Sequence, residues 1–182
     1  GLSNGEPSYR GIQLDTQTAF DYLRGDLRDL VDPSKVILFG QSLGGAIALD
    51  LLSRNRDEIA AVVVENSFAD VYRLHADLFP LLGFARHMIS EPWDSLMSLR
   101  TTGRWMPPAL FLSGRSDELI PPAHMDALYG MAKRVAPPGQ LVRKVEFPHG
   151  THIYMDRNPG YLDAWAAFFR ELEARDFNPR VK

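Results

Sequence analysis

Short, wholly apolar runs alternate with amphipathic stretches along the chain. Four such runs are flanked by polar or turn-forming residues, and they lie at 36–39, 60–64, 109–112 and 142–147. An apolar run of this length is typical of a strand buried on both faces, as in a parallel sheet. Charged residues interrupt the last run (Arg143, Lys144 and Glu146), so we expect it to be an edge strand.

The amphipathic stretches predict helices between these strands. Apolar side chains recur at the 3.6-residue period of a helix over residues 12–31, and helices are also predicted at about 44–54, 123–134 and 160–173. We expect Asn158 to cap the last helix and Pro159 to be its first residue. Alternating strands and helices predict the α/β class, with a parallel sheet of about four strands and helices on both faces.

One stretch, residues 67–104, interrupts the alternation. A connection of this length between two strands is usually functional. We therefore predict one domain over residues 1–182, with 67–104 as a cap or lid inserted in it. The alternative is a further pair of helices that packs on the core.

Composition and charge exclude several classes of protein. The 182 residues are 45% hydrophobic, which is enough to bury a core and excludes disorder. The net charge of -3 argues against a nucleic-acid-binding surface, and no apolar stretch approaches the roughly 18 residues that cross a bilayer. Without cysteine there is no disulfide, thiol nucleophile or Cys-ligated zinc.

A nucleophile motif follows the first predicted strand. Residues 40–45 read Gly-Gln-Ser-Leu-Gly-Gly, a G-x-S-x-G pattern between a strand and a helix, which is the context that this motif requires. The sharp turn is expected to strain the backbone of Ser42 and to project its hydroxyl above the sheet. We expect Gly40 and Gly44 to be needed because a Cβ at either would collide with its neighbours.

A serine hydroxyl needs a base to take its proton, and the base needs a carboxylate to orient it. In this architecture they follow the serine in the order acid, then histidine. Asp117 comes just after the third strand and is the favoured acid; its neighbour Glu118 is expected to face away. Glu65 also ends a strand, and there a role in capping the next turn is favoured.

Two histidines follow the fourth strand, His149 and His152. His152 is the favoured base, because Gly150 lets the loop bend before it, whereas His149 is expected at the surface. The other histidines, at positions 75, 87 and 124, are expected to be solvated or to cap helices. The sequence has no HExxH, Cys/His cluster, dinucleotide fingerprint or P-loop lysine, so we expect no metal and no cofactor.

Four segments together resemble the α/β-hydrolase superfamily, and within it the Bem-type (bud-emergence) branch of serine hydrolases. They are Gly-Gln-Ser-Leu-Gly-Gly at 40–45, Glu-Asn-Ser-Phe at 65–68, Leu-Ser-Gly-Arg-Ser-Asp-Glu-Leu-Ile-Pro-Pro at 112–122 and Gly-Thr-His at 150–152. The first is found across the superfamily, and the second and third are more specific. The resemblance implies the same roles: Ser42 as nucleophile, Asp117 as acid and His152 as base.

The resemblance also implies a membrane anchor and several strands before Gly1, so we expect this chain to be the carboxyl-terminal part of the fold. One oxyanion donor can be assigned, the N–H of Leu43, and we expect the second to come from that upstream part. We therefore expect the missing amino-terminal half to be needed for activity.

The function predicted is hydrolysis of an ester, thioester or amide through an acyl-enzyme on Ser42. The partner expected is a small or lipid-like acyl substrate, because the 67–104 segment is rich in apolar side chains. Its candidate substrate-binding residues are Leu78, Phe79, Leu82, Phe84 and Trp93. Two alternatives stay open: an inactive fragment or scaffold of a hydrolase, and a serine peptidase.

Overall fold

The computed structural model describes residues 4, 7–79 and 92–175. Its strands are β1 (Ile37–Gln41), β2 (Ala61–Glu65), β3 (Ala109–Gly114) and β4 (Val142–Phe147). Its helices are α1 (Tyr9–Gly25), α2 (Leu43–Arg54), α3 (Val71–Leu78), α4 (Ser95–Thr102), α5 (Ala123–Val135) and α6 (Tyr161–Glu173). The predicted alternation of strands and helices is confirmed.

All four strands run parallel, in the order β1-β2-β3-β4. Every residue of β2 and β3 is buried, which explains why both read as uninterrupted apolar runs. Exposed and half-buried positions lie between the buried ends of β4, at one edge of the described sheet, as its charges predict. The α/β class with a four-stranded parallel sheet is thus confirmed.

The sheet separates two apolar layers. On one face, Leu52 of α2, Phe111 of β3 and Leu128 of α5 share a fully buried cluster. On the other face, Leu112 of β3 packs in a cluster with Phe168 of α6. Burying apolar area on both faces stabilises the sheet by about 25 cal/mol per Å² removed from water.

The first helix is shorter than its apolar pattern predicts. It begins after Ser8, whose hydroxyl accepts the N–H of Gly11, and it ends at Gly25 rather than at residue 31. Glycine is the least favourable helical residue after proline, and the chain continues as turns. Leu30, an apolar residue within the predicted helix, is 82% exposed.

The start of α6 also differs from the prediction. The capping residue is Gly160, which adopts the left-handed conformation with φ of 82°, not Asn158. The Asn158 amide instead donates to the carbonyls of Tyr154 and Met155 in the preceding turn. Asn158 lies two residues before the capping position, and no side chain among the described residues caps α6.

The segment predicted to be a cap contributes both to the core and to the region above the sheet. Helix α4 packs against α2 and α5, and its Leu99 is fully buried in the core cluster. Asp70, the N-cap of α3, forms an antiparallel bridge with Asp94, the N-cap of α4, so the starts of these two helices lie side by side. Residues 80–91 lie outside the described part, and the cap stays a prediction.

The glycines around the turn from β1 to α2 have different steric roles. A Cβ on Gly40 would lie 2.1 Å from the carbonyl oxygen of Gly44, and one on Gly45 would lie 2.6 Å from the Ser67 side chain. A Cβ on Gly44 would meet nothing within 4 Å, so the collision expected there was wrong. Glycine is needed at 40 because β1 and α2 approach closely there, and at 45 because α2 lies against Ser67 and Val64.

Substitution of Gly40 tests this close approach. We expect Gly40→Ala to destabilise the fold by about 3 kcal/mol, because the colliding atoms are backbone and cannot turn aside. Gly130→Ala is the matched control: position 130 is an exposed helical site with open space, where alanine should stabilise by up to about 1 kcal/mol. Urea unfolding measures both, and equal stability of the two variants would contradict the steric account.

Candidate active site

Ser42 lies on the strained turn between β1 and α2. Its φ of 55° and ψ of -124° are unusual for a residue with a side chain, as the motif predicts. Two hydrogen bonds hold this backbone: the Ser42 N–H donates to the carbonyl of Glu65 at 2.9 Å, and the Ser67 hydroxyl donates to the Ser42 carbonyl at 2.7 Å. The strained backbone conformation of Ser42 is therefore stabilised by hydrogen bonds to β2 and to the residues that follow it.

The structure brings together the three side chains predicted as nucleophile, base and acid. His152 Nε2 lies 3.0 Å from Ser42 Oγ, and His152 Nδ1 lies 2.9 Å from Asp117 Oδ2. Each residue follows the carboxyl end of a different strand, β1, β3 or β4. Parallel strands bring these ends to one edge of the sheet, so residues 110 apart in sequence come into contact.

The Asp117 carboxyl group fixes the orientation of the imidazole. Its side chain is 1% exposed, and Oδ1 accepts the backbone N–H groups of Leu119 and Ile120 at 2.9 and 2.8 Å. A carboxylate facing Nδ1 favours the tautomer with hydrogen on that atom. The lone pair of Nε2 then faces the Ser42 hydroxyl and can accept its proton.

The neighbours of these residues are only partly where the sequence led us to expect them. Glu118 does not face away: its Oε2 accepts the backbone N–H of His152 at 3.1 Å. This contact lowers the pKa of Glu118. His149 is exposed at the surface, as expected.

Two amide side chains that the sequence did not single out hold the carbonyl group of His152. Gln41 Nε2 lies 2.8 Å from this oxygen, and Asn66 Nδ2 lies 3.3 Å from it and 3.0 Å from the Thr151 oxygen. Asn66 Oδ1 accepts the N–H of Gly114 at 2.8 Å. Both residues lie in segments that carry the family resemblance, and that was the only available signal.

Glu65 is a buried carboxyl group beneath this loop. It is 4% exposed; the Tyr161 hydroxyl donates to Oε2 at 2.7 Å and Gln41 Nε2 donates to Oε1 at 3.1 Å. Burial raises the pKa of Glu65, against the lowering effect of the Tyr161 hydrogen bond. Burial also raises the pKa of Tyr161, to about 12, with a further contribution from Glu65.

An apolar cavity of about 530 Å³ opens beside Ser42 and His152. Its walls come from α1 and the chain before it, the start of α2, α3 and the loop after β3, and its apolar side chains include Ile12, Leu43, Phe68, Val71, Leu74, Leu78, Trp93 and Ile120. Of the predicted substrate-binding residues, Leu78 and Trp93 line it. Phe79 does not; its half-exposed ring lies 5.4 Å from that of His75. Leu82 and Phe84 lie outside the described residues.

Leu43, the predicted oxyanion donor, is the first residue of α2 and lines the same cavity. The first N–H groups of a helix have no partner within the helix, and they carry the positive end of its dipole. An oxygen next to Ser42 Oγ can therefore be stabilised from this helix end.

A buried histidine holds one wall of the cavity. The Nδ1 of His124, at the start of α5, accepts the N–H of Ala69 at 3.1 Å, and its Nε2 lies 2.9 Å from Asp77 on α3. The ring is fully buried rather than solvated. Burial lowers the pKa of His124, although the charge of Asp77 acts in the opposite direction.

The described part of the chain contains neither a candidate metal site nor a candidate membrane-spanning helix. Over 7–79 and 92–175, no group of three His, Asp or Glu side chains is arranged to hold a metal ion. Within the same ranges, no helix is both long and apolar enough to cross a membrane.

The architecture matches that of a known superfamily. The family model for the alpha/beta hydrolase fold matches residues 3–86, and solved α/β-hydrolase structures superimpose on most of the chain. The chain has the α/β-hydrolase fold, and it is similar to members of that superfamily over nearly its whole length.

Curated relatives place it near the Bem-type branch. Protein bem46 of Schizosaccharomyces pombe is 34% identical over 94% of this chain and 54% of its own length. The alpha/beta hydrolase domain-containing protein WAV2 of Arabidopsis thaliana is 33% identical over 91% of this chain and 58% of its own length. The chain thus spans little more than half the length of these curated relatives.

Solved structures share the fold at lower identity. The carboxylesterase Cest-2923 from Lactobacillus plantarum superimposes with a TM-score of 0.69 at 19% identity, over 96% of this chain and 71% of that one. An acylaminoacyl peptidase from Pyrococcus horikoshii gives 0.67 at 17% identity, over 94% of this chain and 28% of that one.

The His124 contact predicts a pH-dependent stability. Because the pKa of His124 is below its ordinary value of about 6.5, the unfolded chain takes up the proton first as the pH falls. Protonation would also place an N–H against the N–H of Ala69. Stability should therefore decrease as the pH drops below about 6.5.

Thermal unfolding between about pH 7.5 and about pH 5 measures this effect. The melting temperature of His124→Gln should depend less steeply on pH than that of the unmodified chain. His75→Gln, on α3, is the matched control and should keep the original slope. An unchanged slope in His124→Gln would show that this histidine does not contribute.

Proposed function

We propose that the protein is a serine hydrolase that cleaves a carboxylic ester or thioester through an acyl-enzyme on Ser42. The observation that carries the proposal is the continuous contact from Ser42 Oγ to His152 Nε2 at 3.0 Å and from His152 Nδ1 to Asp117 at 2.9 Å. Ser42 and His152 both line the apolar cavity. The backbone of Ser42 has the positive φ that a nucleophile elbow requires.

The reaction starts with proton transfer from Ser42 to His152. As Oγ bonds to the carbonyl carbon of the substrate, the carbonyl electrons move to its oxygen, which the Leu43 N–H stabilises. The intermediate collapses, the bond to the leaving group breaks, and His152 gives its proton to the departing oxygen or sulfur. Water repeats these steps on the acyl-enzyme and releases the carboxylic acid, while Asp117 stabilises the imidazolium.

The cavity favours an apolar acyl group. Leu74, Leu78 and Trp93 offer no charged partner for a substrate, and the cavity opens directly beside Ser42. An apolar pocket with few polar groups near a nucleophile suits a hydrocarbon chain. The carboxylesterase and peptidase neighbours share the fold, so amide hydrolysis by a serine peptidase is the second candidate. The cavity favours the ester.

We also propose that the active enzyme includes a part of the hydrolase fold upstream of residue 1. The curated relatives are nearly twice as long as their match to this chain, which supports the proposal. In this architecture the second oxyanion donor comes from a loop after an earlier strand. A chain without this upstream donor would correspond to the alternative function, an inactive fragment of a hydrolase.

Covalent labelling tests the nucleophile. A fluorophosphonate should modify Ser42, because the reagent captures a serine activated by a neighbouring base. Ser42→Ala should abolish labelling, whereas Ser34→Ala, at a half-buried serine in the turn before β1, should leave it unchanged. Peptide mass spectrometry locates the adduct, and undiminished labelling of Ser42→Ala would overturn the proposal.

The base and the acid are tested by turnover of a short-chain nitrophenyl ester. His152→Ala and Asp117→Asn should each lower kcat by about 10⁴-fold, because the base is lost or held in the wrong tautomer. The matched controls His149→Ala and Asp126→Asn, both at exposed positions, should lower it by less than about tenfold. A large loss in His149→Ala with little loss in His152→Ala would contradict the assignment.

The contribution of the upstream part is tested by comparing residues 1–182 alone with a chain extended to the length of the relatives. The shorter chain should have a kcat about 10²–10³-fold lower, the usual effect of losing one oxyanion donor. Equal rates would mean that a donor within residues 1–182 completes the site.

A further inference from the structure

Glu65 is a buried acid for which the proposed reaction has no use. It neither lines the cavity nor contacts Ser42 Oγ or the His152 ring by a hydrogen bond in the described residues. A buried carboxylate is unfavourable unless both of its oxygens are bonded. Here both are: Oε1 accepts from Gln41 and Oε2 accepts from Tyr161. Any effect of the Glu65 side chain on the site must therefore act through Gln41 or Tyr161.

The amide of Gln41 joins Glu65 to the catalytic loop. Its Nε2 donates to Glu65 Oε1 at 3.1 Å and to the His152 carbonyl at 2.8 Å, so the two N–H bonds of one NH₂ group are both used. Both partners are acceptors, and a rotated amide would present its own oxygen to them. The Glu65 carboxylate thus selects the orientation in which Gln41 can hold His152.

The position of Gln41, next to Ser42 in the chain, makes its contact with the His152 carbonyl relevant to the reaction. Gln41 is the last residue of β1 and directly precedes Ser42, while His152 lies in the loop after β4. The Gln41 side chain therefore connects the backbone of the base to the backbone of the nucleophile. Glu65 also accepts the Ser42 N–H through its own carbonyl, which a change of side chain leaves intact.

We propose that Glu65 is a positioning residue that sets the distance between His152 and Ser42 through the Gln41 amide. The inference rests on the proposed function, because it assigns His152 as the base. It adds a partly buried row of hydrogen bonds, from Tyr161 to Glu65 and from Gln41 to both Glu65 and the His152 carbonyl. Asn66 supplies a second, longer contact to the same carbonyl, so loss of the row should loosen the loop rather than release it.

Substitutions along this row should change kcat more than KM. Gln41→Met keeps the length of the side chain and removes its donors, so kcat should fall by about 10–100-fold. Glu65→Leu should lower kcat by about tenfold, and KM should change less than about threefold in both, since neither residue lines the cavity. Glu65→Gln should stay within about threefold of the unmodified chain, because its oxygen can still accept from Gln41.

The double variant Gln41→Met/Glu65→Leu shows whether Glu65 acts through Gln41. Its kcat should equal that of Gln41→Met alone, because the contact is already lost. Multiplied effects, or a normal kcat in folded Gln41→Met, would overturn the inference. Tyr161→Phe is the matched control at the outer end of the row and should lower kcat less than Glu65→Leu does. If Glu65→Leu does not fold, the kcat of Gln41→Met is compared with that of Glu65→Gln. A lower kcat in Gln41→Met supports the inference, and equal values overturn it.

A second readout separates this inference from the proposed function. The proton between His152 Nδ1 and Asp117 can be followed by ¹⁵N-histidine NMR without turnover. The signal should broaden or shift in Gln41→Met and stay in place in Glu65→Gln. Inactivity of the chain extended to the length of the relatives would refute the proposed function, whereas an unmoved signal in Gln41→Met would refute the positioning role.

Discussion

The close approach of β1 and α2 at the turn carrying Ser42 is the constraint on which the site depends. The strand can turn directly into the helix because position 40 has no side chain and Gly45 lets α2 lie against Ser67. This geometry forces Ser42 to a φ of 55°, which serine adopts only where its surroundings determine it. The hydroxyl then lies above the sheet edge, and the first N–H groups of α2 face the same space. Moving the helix outward would relax the strain and would separate Ser42 from His152.

The parallel sheet supplies the remaining constraint. Since all four strands end at one edge, the loops after β1, β3 and β4 meet there although they are far apart in sequence. The carbonyl of His152 is bonded to side chains from β1 and from the residue after β2, and its N–H is bonded to the loop after β3. His152, which follows β4, is thus bonded to residues in or just after each of the other three strands. This explains how a histidine on a loop can have a defined distance to both neighbours.

Local patterns predict most of this arrangement. Wholly apolar runs identify buried parallel strands, and the elbow motif, with an acid and a histidine after later strands, identifies the three side chains that meet. Tertiary contacts decide the rest. The end of α1 at Gly25 and the start of α6 after Gly160 are not indicated by the spacing of apolar residues. The roles of Gln41, Asn66 and Glu118 arise only when distant loops pack together. The sequence predicted that Glu118 faces away from the site, whereas its carboxylate accepts the N–H of His152.

The central claim is that Ser42, His152 and the apolar cavity form one reacting site. A crystal structure of the protein after reaction with a long-chain alkyl phosphonate tests it most directly. The account predicts phosphorus bonded to Ser42 Oγ, a phosphonyl oxygen facing the Leu43 N–H, and the alkyl chain between Leu74 and Trp93. An adduct on another residue, or an alkyl chain outside this cavity, would contradict it.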